Sequence, residues 1–218
     1  NCINDNGLYN HLNKCPTTAI VIKFSGQYLI QTGSEQNKID IGGKTCSPSS
    51  WTSTEIICTL PPSDGANHVI NVTAANGKSN TQHVAKLFSY SPPTITHISP
   101  NPSTSRGDIL TTFTGTNFGS ESSIISLTIN GQSCTNITWI SANEIAAITP
   151  IGSGGNLPVN IKIGTQDAAS STTFSYKTPS ITKVSPTLGG GDLILNGSEF
   201  ANASITIEIK DIQTNQVT

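Results

Sequence analysis

The stretch PPTITHISP at residues 92–100 decides the organisation of this chain, because it returns 86 residues later as TPSITKVSP at residues 178–186. The same interval separates FSY at residues 88–90 from FSY at residues 174–176, each directly before its copy. Self-similarity at a fixed interval indicates tandem copies of one structural unit. The 218 residues therefore contain two full repeats and the beginning of a third.

Three further landmarks follow in the same order within the copies. They are GTNF at 115–118 with GSEF at 197–200 and, more loosely, GQYL at 26–29; GKTC at 43–46 with GQSC at 131–134; and EIICTLP at 55–61 with EIAAITP at 144–150. Landmarks that keep both order and spacing also fix the boundaries. We predict an N-terminal cysteine-containing segment (1–16), repeat 1 (17–91), repeat 2 (92–177) and a partial repeat 3 (178–218).

Apolar residues within a repeat recur at every second position, which is the period of a β-strand. Val159, Ile161 and Ile163 alternate with polar residues, as Ile70 and Val72 do at the corresponding place in repeat 1. Short alternating strands separated by turns, in units of about 80 to 100 residues, are typical of a β-sandwich. No segment has a helical period. The sequence predicts an all-β chain of tandem β-sandwiches.

This order of motifs resembles the IPT/TIG module, an immunoglobulin-like sandwich of the E-set type. The shared features are a strand ending in Ser-Pro, a glycine-rich turn, Gly-x-x-Phe, Gly-x-x-Cys, Ile-x-Cys-x-x-Pro and Phe-x-Tyr. Tandem copies, low charge and richness in Asn, Thr and Ser further resemble the adhesion and allorecognition glycoproteins of social amoebae, the Tgr group, or the related contact-site adhesion glycoproteins. The resemblance implies a cell-surface ectodomain that binds a surface protein of an adjacent cell, homophilically or heterophilically, with its membrane anchor outside this sequence.

The IPT/TIG resemblance implies a disulfide between Cys46 and Cys58, at strand positions that this module commonly bridges. In repeat 2, Cys134 takes the place of Cys46, whereas Ala147 stands where Cys58 would be. We therefore predict that Cys134 has no partner within its own repeat.

The two remaining cysteines, Cys2 and Cys15, flank an Asn-rich segment and form the natural second pair. Disulfides belong to oxidising compartments. The alternative, reduced thiols at all five positions, would place the protein in the cytosol.

Four Asn-x-Ser/Thr sequons are the predicted glycan acceptors: Asn71, Asn136, Asn196 and Asn202. Glycans need positions that face solvent. Asn71 lies out of phase with its apolar neighbours, and Asn196 is likewise offset from Leu193 and Leu195, so both should point outward. These positions favour an extracellular location.

Composition and the absence of motifs exclude several functions. The 11 Lys and Arg residues are scattered and the pI is about 6.1, so we expect no nucleic-acid partner, which would need a basic stripe. No hydrolase elbow, phosphate-binding loop or zinc motif occurs. We expect no enzymatic activity, cofactor, metal or small-molecule substrate. No signal peptide or membrane-spanning apolar run is present, and the absence of Met suggests a piece of a longer protein.

Three features allow both a functional and a structural interpretation. RGD at residues 106–108 spells an integrin-binding tripeptide, but Gly-Asp also opens a strand at residues 191–192 without an arginine. Trp51 and Trp139 occupy matching places, where they could pack on the core or form platforms for a sugar. His11, between two cysteines, could complete a metal site or be a bystander of a disulfide.

Two functional hypotheses follow. The first is an adhesion or recognition module whose partner meets polar residues of repeat 2, namely Thr112, Thr114, Asn160 and Lys162. Hydrogen bonds and modest apolar area would hold such an interface together. The alternative is a carbohydrate-binding or spacer E-set module of a secreted protein.

Overall fold

The computed structural model describes residues 3–4, 12–25, 37–73, 86–186 and 193–201, and all structural statements concern these residues. They contain strands and turns and no helix. The all-β prediction is therefore confirmed.

The described residues before Ser91 form eight strands. Two lie in the N-terminal segment, β1 (Ile3–Asn4) and β2 (Leu12–Cys15), and six in repeat 1: β3 (Ile20–Ser25), β4 (Lys38–Ile41), β5 (Lys44–Trp51), β6 (Glu55–Leu60), β7 (His68–Thr73) and β8 (Lys86–Tyr90). They pair in the order β1-β2-β8-β7-β4-β5-β6-β3. The first residues of β5 pair with β4 and the later ones with β6. One long strand thus connects the two layers, which share a core centred on Ile39, Ile56 and Phe88.

Repeat 2 has strands β9 (Thr94–Ser99), β10 (Leu110–Thr116), β11 (Ile125–Ile129), β12 (Gln132–Ser133), β13 (Thr135–Ser141), β14 (Glu144–Ile148), β15 (Val159–Ile163) and β16 (Gln166–Ala169). They form two four-stranded sheets, β13-β14-β10-β9 and β12-β11-β15-β16, named below the β10 sheet and the β15 sheet. Both sheets bury alternate side chains in one core, among them Phe113 from the first and Ile161 from the second. Each sheet therefore keeps an outer face.

The Gly-x-x-Phe motif has a packing explanation. The Phe118 ring is fully buried, and its Cζ would lie 2.7 Å from a Cβ on Gly115. The same Cβ would collide with the carbonyl oxygen of Thr94 on the neighbouring strand. Only glycine allows β9 and the ring to approach this part of β10 so closely.

The Phe-x-Tyr motif closes the core in both complete repeats. Phe88 and Tyr90 make an edge-to-face contact with ring centroids 4.8 Å apart, and Phe174 and Tyr176 do so at 5.1 Å. The Tyr176 hydroxyl donates a hydrogen bond to the Pro150 carbonyl at 2.7 Å. Burial raises the pKa of both tyrosines, so the hydroxyls stay protonated donors.

The two strands described after residue 178 reproduce the first hairpin of repeat 2. Strands β17 (Ser180–Pro186) and β18 (Leu193–Ser198) pair as β9 and β10 do, with a register shift at the corresponding place. A Cβ on Gly197 would collide with the Ser180 carbonyl oxygen and lie 2.5 Å from Phe200 Cζ. However, Phe200 is 36% exposed whereas Phe118 is 0% exposed, because within the described residues no second sheet covers the hairpin.

Candidate recognition surface

Three of the four predicted glycan acceptors lie within the described residues, and all three are exposed. Asn71 is on β7, Asn136 on β13 and Asn196 on β18. Asn202 lies outside the described residues. The three described sequons are therefore open to solvent, as a glycan requires.

The four residues predicted to bind a partner do not form one surface. Thr112 and Thr114 lie on the outer face of the β10 sheet, because they alternate along the strand with the buried residues Thr111 and Phe113. Asn160 and Lys162 lie on the outer face of the β15 sheet. Because the two sheets pack through their inner faces, these pairs lie on opposite outer faces of repeat 2.

The outer face of the β15 sheet is polar and close to neutral. Ser126 pairs with Lys162 and Thr128 with Asn160 in the strand register, and Lys162 pairs in turn with Asp167. Lys162 Nζ lies 3.2 Å from Asp167 Oδ2, and both side chains are largely exposed. The one cation of this row is thus balanced by a carboxylate.

Asn160 has a counterpart in repeat 1 that carries a sequon. Ile129 pairs with Val159 in repeat 2 as Ile41 pairs with Ile70 in repeat 1. The next residue along each strand is Asn160 in repeat 2 and Asn71 in repeat 1. The same outer face therefore carries a sequon in repeat 1 and none in repeat 2.

The outer face of the β10 sheet has a different character. Leu110 is 62% exposed and Ile140 49% exposed, so this face is more apolar. Its edge strand β13 bears the exposed sequon residue Asn136, which has a φ of 48° at a register shift. A glycan at Asn136 would extend from the edge of this face.

The cysteines of the two complete repeats differ as the sequence suggests. Cys46 and Cys58 form a disulfide with Cα atoms 5.5 Å apart. Cys134 is a buried free thiol, and burial raises its pKa to about 12. Cys15 is buried and disulfide-bonded, while Cys2 and His11 lie outside the described residues. Burial therefore keeps the Cys134 thiol protonated in the folded repeat.

Both tryptophans pack against the cores, and in the RGD segment Arg106 and Asp108 are exposed on either side of a buried glycine. Trp51 and Trp139 are half-buried against the cores, and Trp139 Nε1 donates to the Phe118 carbonyl at 3.0 Å. In the RGD segment, Gly107 is buried with a φ of 68°, and a Cβ there would lie 2.5 Å from the Ile151 nitrogen. The glycine serves the turn that leads into β10.

Two recesses lie where repeat 2 meets the residues that follow it. A cavity of about 220 Å³ lies between Ile129 and Tyr176, and an open groove of about 980 Å³ runs past Lys177 and Glu199. Glu199 accepts hydrogen bonds from the Ser105 amide and the Thr104 hydroxyl, which lower its pKa. This carboxylate is thus committed to a structural contact.

Chelation should leave the melting temperature unchanged, because the described residues contain no group of three or more His, Cys, Asp or Glu side chains that could hold a metal. Thermal unfolding with and without EDTA checks this prediction. A reproducible fall in melting temperature with EDTA would reveal a structural ion and contradict it.

Two sheets packed through alternating side chains, repeated in tandem, define the chain as a series of immunoglobulin-like β-sandwiches. The IPT/TIG domain family matches residues 16–90 and 93–176. The chain therefore belongs to the IPT/TIG family.

Each individual relative matches only part of this chain, and this chain spans only a small part of each relative's own length. Mouse fibrocystin-L is 31% identical over 117 residues, which is 51% of this chain and 3% of fibrocystin-L. The plexin A4 extracellular region matches 78% of this chain and 15% of its own at 20% identity and a TM-score of 0.38. The surface glycan-binding protein PbSGBP-B of Prevotella bryantii matches 71% and 36%, at 13% identity and a TM-score of 0.44.

The described parts of the chain include no helix with the length and apolar character needed to cross a bilayer.

Proposed function

We propose that this chain is part of an extracellular adhesion or recognition protein whose repeat 2 binds a protein on the surface of an adjacent cell. The observation that carries the proposal is the outer face of the β15 sheet, an exposed polar surface centred on Asn160 and Lys162 without a sequon of its own. A binding module needs such an open surface on a rigid scaffold.

Glycans would limit the sheet faces that a protein partner can reach. With Asn71 modified, the corresponding face of repeat 1 is covered, and with Asn136 modified, the edge of the β10 sheet is shielded. The outer face of the β15 sheet stays open in repeat 2. Its Lys162–Asp167 pair balances the charge, so affinity should rest on hydrogen bonds and depend little on salt.

The sequence resemblance also suggests the group of adhesion proteins to which the chain belongs. We propose a Tgr-like or contact-site adhesion glycoprotein of social amoebae, with an anchor outside this sequence and with homophilic or heterophilic binding. Such contacts are weak singly and gain strength from many copies on facing membranes. The absence of catalysis, of a cofactor and of a nucleic-acid partner belongs to the same proposal.

The domain division is part of the proposal as well. We infer an N-terminal segment at 1–16, repeats at 17–91 and 92–177, and a third copy that begins at 178. The matching glycine contacts and register shifts of β17–β18 and β9–β10 support the third copy.

Lys162→Thr should abolish cell binding, because it converts residues 160–162 into a sequon and puts a glycan on Asn160. Asn71 already occupies the equivalent place in repeat 1, so this substitution should leave folding intact. Cell-adhesion assays with ectodomain from a glycosylating host, whose modification is verified by mass spectrometry, measure the effect.

The matched control is Asn160→Gln combined with Lys162→Thr, which carries the same loss of charge and no acceptor asparagine. It should bind far more strongly than the glycosylated variant. If the glycosylated variant folds and binds as well as the wild type, this face is not the interface. A glycan array tests the carbohydrate-binding alternative, and a specific hit there with no cell binding would favour it.

A further inference from the structure

The contact between repeats 1 and 2 contains a carboxylate that crosses from one repeat to the other. Asp64 follows β6 in repeat 1, and its Oδ2 accepts a hydrogen bond from the Ser123 hydroxyl of repeat 2. The Gln166 side chain of repeat 2 donates to the Tyr90 carbonyl of repeat 1 at 2.9 Å. Two side-chain hydrogen bonds therefore connect the sandwiches beyond the chain itself.

Within repeat 1, the loop that presents Asp64 is held at several points. The Tyr90 amide donates to the Gly65 carbonyl at 2.9 Å, and His68 Nε2 lies 2.8 Å from the Asp64 carbonyl oxygen. The His68 and Tyr90 rings make an edge-to-face contact with their centroids 5.8 Å apart. Gly65 is buried with a φ of 98°. The carboxylate thus extends from a fixed backbone.

Repeat 2 has a matching receiving site. The Ser120 amide donates to Ser123 Oγ at 2.8 Å, which orients the hydroxyl toward Asp64. Gly164 lies on the other side of the carboxylate, and a Cβ at Gly164 would collide with Asp64 Oδ1. Gly164 therefore leaves the space that the carboxylate occupies.

We propose that Asp64, seated between Ser123 and Gly164, fixes the angle between repeats 1 and 2, so that the two sandwiches behave as one rigid body. Adjacent domains ordinarily move relative to one another unless their contact is substantial. Hydrogen bonds to an ionised group are stronger than neutral ones. The short Ser91-Pro92-Pro93 connection adds backbone restriction, and a partner touching both repeats would meet a preformed surface at lower entropic cost.

The contact between repeat 2 and the hairpin β17–β18 follows the same principle with the direction reversed. Here Glu199, after β18, accepts from the Thr104 hydroxyl at 2.9 Å and the Ser105 amide at 2.7 Å in repeat 2. At both junctions, therefore, a carboxylate of one unit accepts hydrogen bonds from hydroxyl or amide donors of its neighbour.

Residual dipolar couplings on the full chain test the proposal without any partner, so failure of the adhesion proposal and failure of this one are distinguishable. In the wild type, repeats 1 and 2 should share one alignment tensor. Asp64→Ala should abolish the shared tensor while the chemical shifts within each core stay unchanged. Separate tensors in the wild type, or a shared tensor in the variant, would overturn the proposal.

A second pair of variants separates the contact from the cost of replacing a glycine. Gly164 and Gly131 both lie in hairpin turns of the β15 sheet with positive φ, 55° and 78°, but a Cβ on Gly131 meets nothing within 4 Å. Gly164→Ala should separate the tensors because its methyl group displaces Asp64, whereas Gly131→Ala should preserve the shared tensor. Equal behaviour of the two variants would refute the role of Asp64.

Discussion

Replacing Phe118 by alanine should cost repeat 2 about 3–5 kcal/mol of unfolding free energy, the range for emptying a fully buried aromatic site. Phe118 is 0% exposed. Its ring fills the space that Gly115 leaves open, and its carbonyl accepts the Trp139 indole hydrogen bond. Since small domains are stable by about 5–15 kcal/mol, this loss would consume a large part of the stability of repeat 2.

The two tryptophans allow the loss to be assigned to one repeat. Trp51 packs on the core of repeat 1 and Trp139 on that of repeat 2, so Trp139 fluorescence in a Trp51→Phe background follows repeat 2 during urea unfolding. Phe200→Ala is the matched control, because Phe200 ends the same motif but is 36% exposed. Coincident Trp139 midpoints for the two variants would show that the motif does not support the repeat 2 core.

The local features of the fold could be predicted from the sequence because they depend on neighbours in the chain. The alternation at Val159, Ile161 and Ile163 corresponds to three buried side chains with Asn160 and Lys162 exposed between them. The recurrence of glycine at 115 and 197 corresponds to one close backbone approach that occurs twice. Periodicity and spacing carry this information directly.

The candidate site could be predicted only in part, because alternation separates inside from outside without saying which sheet a strand joins. Thr112 and Asn160 are both outward residues of repeat 2, yet β10 and β15 belong to opposite sheets. Strand pairing decides this, and pairing depends on contacts between residues far apart in sequence. The sequence therefore did not reveal that the two outward pairs lie on opposite faces of repeat 2.

Asp64 gave no signal in the sequence, since it follows Pro61-Pro62-Ser63 in what resembles an ordinary polar loop. Its importance arises from Ser123 and Gly164, which approach it only after repeat 2 has folded and docked. Repeat 2 has Ser153 at the position of Asp64, if the two Pro-containing motifs are aligned. A contact that differs between copies is invisible to a search for recurring motifs.

The disulfide of repeat 1 has a vacant counterpart in repeat 2 whose geometry can be compared strand by strand. Ser47, the residue after Cys46, pairs with Thr59, the residue after Cys58. In the same way Thr135, the residue after Cys134, pairs with Ile148, the residue after Ala147. The separation in repeat 2 is one residue longer than the 12 residues of repeat 1. That residue lies in the turn between β13 and β14, because Trp51 pairs with Ile56 and Trp139 with Ile145.

Ala147→Cys should therefore form a disulfide with Cys134 and raise the unfolding free energy of repeat 2 by about 3 kcal/mol, through restriction of the unfolded chain. Cys134 and Ala147 already lie in one buried cluster, and the substitution adds a single sulfur atom to the Cβ of residue 147. Peptide mapping without reduction identifies the bond, and Trp139 fluorescence in urea with and without reductant measures the gain. The double variant Cys134→Ala with Ala147→Cys introduces the same residue without a partner and should show no reductant-sensitive gain. If the two thiols of Ala147→Cys stay free under oxidising conditions, the register that equates Ala147 with Cys58 does not bring their sulfurs within bonding distance.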